Sequence, residues 1–138
     1  MKFFSLIFLV FFTMLVLSQL KTENYKIYDS KANRTSTLEE IIGILSEKDI
    51  VFFGEEHNDP VGHQLEIEIL RMLHRKNGEK QTLSMEMFET DVQLVLNEYL
   101  QNLIREKNFI KEARAWNNYT DYKPMIEYAR EHGIQVIA

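Results

Sequence analysis

Cysteine is absent from the 138 residues of this chain, proline occurs twice and tryptophan once. Without a thiol there is no disulfide framework, no thiolate-ligated metal or haem, and no residue to carry a lipoprotein anchor. Basic charge is scarce as well. Sixteen lysines and arginines face 21 aspartates and glutamates, for a formal net charge of −5. That balance, with no basic cluster beyond short runs such as Arg71 to Lys76, argues against nucleic acid as a partner. No internal repeat and no low-complexity tract breaks the chain.

What the sequence does have begins at its N-terminus. Lys2 precedes an apolar run from Phe3 to Leu17 interrupted only by Ser5 and Thr13, and Val16-Leu17-Ser18 follows the pattern a signal peptidase reads. Residues 1–18 are therefore expected to be a secretory signal peptide. The competing expectation is an uncleaved anchor, because Phe3 to Leu20 approaches the roughly 18 apolar residues needed to span a bilayer. Either way the protein is expected to be exported, periplasmic or membrane-associated, and to touch the membrane only through this segment. Residues 19–36 read as a lead-in and 37–138 as one α/β domain.

Within that domain the periodicity alternates between strand and helix. Tyr25 to Tyr28 reads as a short edge strand, and Thr37-Leu38-Glu39-Glu40 has capping-box spacing ahead of a helix over Leu38 to Ser46. Asp49 to Gly54 is too apolar for a strand with a wet face, so it is expected to be buried on both sides. Asn58 or Asp59 caps the next helix, with Pro60 in its first turn, Leu65, Ile69 and Leu73 on its inner face, and Asn77-Gly78 at its end. A second buried strand over Thr82 to Phe88, a helix over Asp91 to Arg105, a helix from Lys123 or Pro124 to Glu131, and a strand over Ile134 to Ala138 complete the series. The expected fold is α/β: a small parallel sheet flanked by helices, with right-handed crossovers. Because the last apolar strand meets the chain end directly, the expectation is an incomplete half of a larger α/β domain.

Chemistry concentrates in Phe53-Gly54-Glu55-Glu56-His57-Asn58-Asp59-Pro60-Val61-Gly62-His63. The carboxyl ends of parallel strands are where ligands collect in such sheets. His57 at a strand tip suits a metal ligand or a base near neutral pH. His63, four residues after Asp59, shares a helix face with it, as a ligand and its orienting carboxylate do, or as a capping aspartate and a surface histidine do. Glu55 and Glu56 point opposite ways from an extended segment, so only one of them reaches the site. Glu86, inside Leu83-Ser84-Met85-Glu86-Met87-Phe88, is read as a charge in a buried strand that requires a partner or an ion. Met85 and Met87 read as core, and His74 and His132 as surface histidines at helix ends. Trp116-Asn117-Asn118-Tyr119-Thr120-Asp121-Tyr122 forms an aromatic, polar loop, able to stack on a flat ligand or simply to be pinned by its tryptophan.

Gly54-Glu55-Glu56-His57 with His63, then Met85-Glu86-Met87-Phe88 with Asp91 and Gln93, then Trp116, Tyr119 and Tyr122, resembles the ChaN-like haem-binding uptake proteins. These are similar in turn to the Tiki and erythromycin-esterase superfamily. The resemblance covers about Asp49 to Ala138, roughly the first half of the family domain. It implies an exported α/β protein that takes haem as its cofactor at the interface of a homodimer, through a tyrosine. The motif does not place that tyrosine, so Tyr119 and Tyr122 are candidates, with His57, His63 and Trp116 beside them. Two departures stand out: no second Gly-x-x-His motif occurs, and no lipid-attachment cysteine is present.

Three readings compete at this point. One is a haem-binding protein of iron uptake. Another is a metal-dependent hydrolase in which His57, His63 and Glu86 hold a divalent ion and Glu55 or Glu56 with His57 does acid–base work. The third is a truncated product without activity.

Overall fold

The computed structural model describes residues 24–138; the expected signal peptide over residues 1–18 and the start of the expected lead-in lie outside them. The first described elements form a hairpin, β1 (Ile27–Asp29) and β2 (Arg34–Ser36), paired antiparallel with Tyr28 opposite Thr35. Asp29 holds its turn, its carboxylate accepting from the amides of Lys31 and Ala32 at 2.9 Å each. Helix α1 (Leu38–Leu45) starts at the expected capping box: Thr37 Oγ1 accepts from the Glu40 amide, and the Glu40 carboxylate accepts from the Thr37 amide.

Helix α2 (Pro60–Asn77) is capped by Asp59, whose carboxylate accepts from the Val61 amide at 2.9 Å, with Pro60 at the first position, where its missing N–H costs nothing. Its inner face is wider than Leu65, Ile69 and Leu73. Ile67 and Leu70 pack into the main core, while Leu73, with partly buried Leu65 and Ile69, packs against Leu38 and Ile42 of α1. The helix is sandwiched, and a helix with two packed sides shows a broader apolar stripe than one lying on a sheet.

Strands β3 (Thr82–Ser84) and β4 (Gln135–Ile137) pair in parallel, with Leu83 opposite Val136. Between them come α3 (Gln93–Leu100), α4 (Glu106–Glu112) and α5 (Tyr119–His132). The fold is thus α/β, a small parallel sheet with helices packed around it, plus the antiparallel hairpin. Its core joins Leu96 and Tyr99 of α3, Phe109 of α4, and Ile126 and Ala129 of α5 to Val136 of β4. Phe109 lies flat on Tyr99, ring centroids 4.3 Å apart and planes at 3°.

Four elements differ from expectation. Asp49 to Gly54 has no regular secondary structure and joins no ladder among the described residues, and Phe52 is 93 % exposed. Apolar, β-favouring side chains describe a fit to a pleated neighbour, and without that neighbour they do not make a strand. The strand expected to reach Phe88 ends at Ser84; Met85 to Phe88 turns, the Phe88 amide bonding the Met85 carbonyl at 3.2 Å, and Met87 and Phe88 swing into the core. The helix expected to reach Arg105 stops at Leu100, because Asn102 takes a left-handed conformation (φ 60°) and the Leu103 amide reaches back to Glu98. Helix α5 begins at Tyr119, ahead of Pro124, whose missing N–H removes the helix bond to the carbonyl of exposed Thr120.

Candidate functional site

Glu55 on the irregular segment after Gly54, His57 in the turn that follows it and His63 in the first turn of α2 meet Tyr122 and Asn118 from the start of α5. His63 is the anchor. Its side chain is 6 % exposed, with Nε2 3.1 Å from the His57 carbonyl oxygen and Nδ1 3.2 Å from Glu66 Oε2. Glu55 Oε2 lies 3.5 Å from the same Nδ1. The Tyr122 ring stands edge-on to the imidazole, centroids 4.6 Å apart, and its hydroxyl donates to the Glu55 carboxylate, with oxygens at 2.9 and 3.0 Å. Asn118 Nδ2 donates to the His57 carbonyl at 3.0 Å, so one backbone oxygen ties α2 and α5 to the segment after Gly54.

The electrostatics follow from this packing. Burial opposes charge on His63, but bonding to Glu66 and to the His57 carbonyl, with the charges of Glu66 and Glu55, outweighs it and raises the imidazole pKa. Both ring nitrogens face acceptors, which is the environment of a doubly protonated ring. Burial raises the Glu66 carboxyl, and the neighbouring Glu55 adds to it against the pull of His63. Burial, then Glu55, raises the Tyr122 hydroxyl well above the usual phenol range.

His57 is differently placed. Its side chain is 52 % exposed, Nε2 lies 3.7 Å from Glu55 Oε1 and 3.8 Å from Glu86 Oε2, and the Trp116 ring meets it edge-on at 4.9 Å. Those separations exceed hydrogen bonds. It borders an open groove of about 670 Å3 with Asn58, Arg114, Ala115, Trp116, Asn117 and Asn118. Arg114, left-handed at φ 53°, is held there by Asp91 at 2.6 Å and Glu89 at 2.9 Å.

Two three-residue groups with metal-ligand geometry result, both using Glu55: Glu55, His57 and Glu86 on the outside, and Glu55, His63 and Glu66 within, ligand atoms inside each group lying within 4.8 Å of one another. The expected set His57, His63 and Glu86 is therefore divided between them. Glu86 is not a buried charge in a strand. It sits on the turn after β3 with its side chain 77 % exposed, because Met87 and Phe88, not Glu86, turn inward. Glu56 is exposed, leaving Glu55 as the carboxylate that reaches the site. Asp59 caps α2 instead of orienting His63, and Gly62 leaves it room: a Cβ there would stand 3.3 Å from Asp59 Oδ2.

Tyr119 points into the core against Phe109, 3 % exposed, and burial raises its hydroxyl pKa far above the ordinary value. Tyr122 is equally buried, and its hydroxyl is engaged by Glu55. Away from the site, His74 is half-buried, its Nδ1 3.0 Å from the Tyr128 hydroxyl, and exposed His132 stacks on the same tyrosine. Glu66 is the member of this cluster that the motifs missed; its signal was the His63-x-x-Glu66 spacing, one helical turn on a shared face. A protein-family model described as haem-binding uptake, Tiki superfamily, ChaN matches residues 41–138. No curated protein and no solved structure matches the chain.

Proposed function

The chain belongs to the ChaN haem-binding uptake family of the Tiki superfamily, and from that we propose that it is an exported haem-binding protein of iron uptake. The groove beside His57 is the proposed haem site. Its volume of about 670 Å3 lies in the range of cofactor clefts, roughly 300–1,000 Å3. The observation that carries the reading is an accessible imidazole in contact with a tryptophan at the edge of that groove. Histidine is a common axial ligand of haem iron, and an indole offers a face to a flat macrocycle. We assign iron ligation to His57 and stacking to Trp116. Tyr122 serves the site by holding Glu55, and Tyr119 by holding α5 on α4. Haem held there would supply iron in a chelated form, with His57 and Trp116 as the residues that would hold it.

Export is supported by the charge-then-apolar pattern of residues 1–18, with retention by cleavage-resistant anchoring as the alternative outcome of an intact-mass measurement on material from the native host. Among the described residues, no helix is long and apolar enough to cross a membrane. The proposed association state is a homodimer, as the family resemblance implies; sedimentation with and without haem tests it.

Hemin titration into the full chain is expected to give a shifted Soret band. His57→Ala should abolish the shift or move it, and Tyr119→Phe with Tyr122→Phe should leave it in place. A spectrum unchanged in His57→Ala but lost in the tyrosine pair would return ligation to a tyrosinate.

A second reading, a metal-dependent hydrolase, is favoured only by the carboxylate–histidine groups, with Glu55 and His57 as its acid–base pair. Release of product from an ester or peptide substrate by metal-loaded protein tests it.

A further inference from the structure

We propose that Glu55, His63 and Glu66 bind one divalent first-row metal ion, of the Mn2+, Fe2+ or Zn2+ class, behind the haem groove and independently of it. None of the three residues borders that groove, so the inference does not rest on the haem reading.

Charge is the first argument. The side chains of Glu55, His63 and Glu66 are only 14, 6 and 9 % exposed. Two carboxylates converge on a single imidazole nitrogen, which carries at most one proton. With both carboxylates ionised, a protonated ring leaves one buried negative charge uncompensated and a neutral ring leaves two, and the balance is made either by a further proton on the cluster or by a cation. Uncompensated buried charge is costly. A dication with two carboxylates and a neutral imidazole sums to zero.

Orientation is the second argument. Nε2 of His63 faces the His57 carbonyl at 3.1 Å, which fixes its proton there when the ring is neutral and turns the lone pair of Nδ1 toward the two carboxylates. A backbone carbonyl behind a histidine is the usual outer support of a metal ligand. Glu55 has such support too, from the Tyr122 hydroxyl.

Spacing is the third argument. With metal–ligand bonds of about 2.0–2.2 Å, adjacent donor atoms on a coordination polyhedron stand roughly 3.0–3.5 Å apart. Nδ1 lies 3.2 Å from Glu66 Oε2 and 3.5 Å from Glu55 Oε2. One nitrogen and two carboxylate oxygens suit manganese, ferrous iron or zinc, whereas calcium and magnesium favour oxygen alone. The outer group has no comparable need for an ion, since water reaches both His57 and Glu86.

The test uses the full chain, stripped with a chelator and reloaded with Zn2+ or Mn2+ alone, with bound metal counted after dialysis. One equivalent per chain is expected for the wild type and for Glu86→Gln. Glu66→Gln should weaken binding beyond the roughly 10–100-fold that follows loss of a mere outer partner. Its hemin Soret shift should be unchanged, so loss of metal and loss of haem are read separately. If Glu66→Gln does not keep the wild-type far-ultraviolet circular dichroism, Glu66→Asp replaces it, with weakened but measurable binding expected. Folded wild type that retains neither ion overturns the proposal, and so does Glu86→Gln costing as much as Glu66→Gln.

Discussion

His63 is nearly sealed from solvent and has a partner on each ring nitrogen, whereas His57, six residues earlier, is half exposed with no ring hydrogen bond among the described residues. Both lie against the same carboxylate, Glu55. The difference comes from the backbone. Once Asp59 and Pro60 start α2, the first turn carries His63 inward beneath Tyr122, while His57 stays in the turn before the helix, at the groove. One acidic residue thus serves a dry interior on one side and a wet rim on the other. Interior electrostatics are strong and demand compensation, and rim electrostatics are screened.

That contrast breaks if the two histidines matter equally to stability. His63→Ala leaves Glu55 and Glu66 facing each other without their shared donor and should cost about 3–5 kcal/mol, the range for breaking a buried ion pair. His57→Ala should cost less than about 1 kcal/mol, as exposed pairs do. Urea unfolding of both variants measures the gap, and equal midpoints would erase the distinction. Tyr122→Phe comes next. It removes the donor to Glu55 while keeping the ring against His63, and a hydrogen bond to a charged group is worth about 1.5–3 kcal/mol. A loss well below that range would mean that Glu55 belongs to the rim.

The smallest effect is expected at a carboxylate that has as many partners but no burial. The Ser36 hydroxyl first, then Arg34 and the Thr37 amide, hold the Glu40 carboxyl down at about 2, against 4.5 ordinarily. A folded-state value below the unfolded one gives stability that is complete above about pH 4.5 and is lost as pH falls toward 2. The stability difference between wild type and Glu40→Gln should shrink across that interval. A difference independent of pH would show that the capping geometry, not the charge, carries Glu40.

Local signals were legible where the physics is local. Thr37 with Glu40 and Asp59 with Pro60 announce helix starts within a few residues, and the structure has both. The left-handed stops at Asn102 and Arg114 were not legible, since neither residue is the glycine that usually marks one. Glu86 misled because Met87 and Phe88 are core residues, and Met85 packs against them, whichever way the chain runs; burial of neighbours does not say whether a strand or a turn buries them. In the site, Glu55 and His57 came from their place after an apolar run ending in glycine. Glu66 was hidden because a charge within a helix ordinarily faces solvent, and only the fold shows that this one faces His63.

Residues 50–53 keep their apolar side chains while sharing no backbone ladder among the described residues. In heavy water their amide protons should be replaced almost as fast as those of a short peptide, while those of Leu70 and Ile126 wait for the whole molecule to open. The same bare strip of donors and acceptors is a template for self-stacking, so concentrated solutions of this protein are expected to gel or cloud from this segment first.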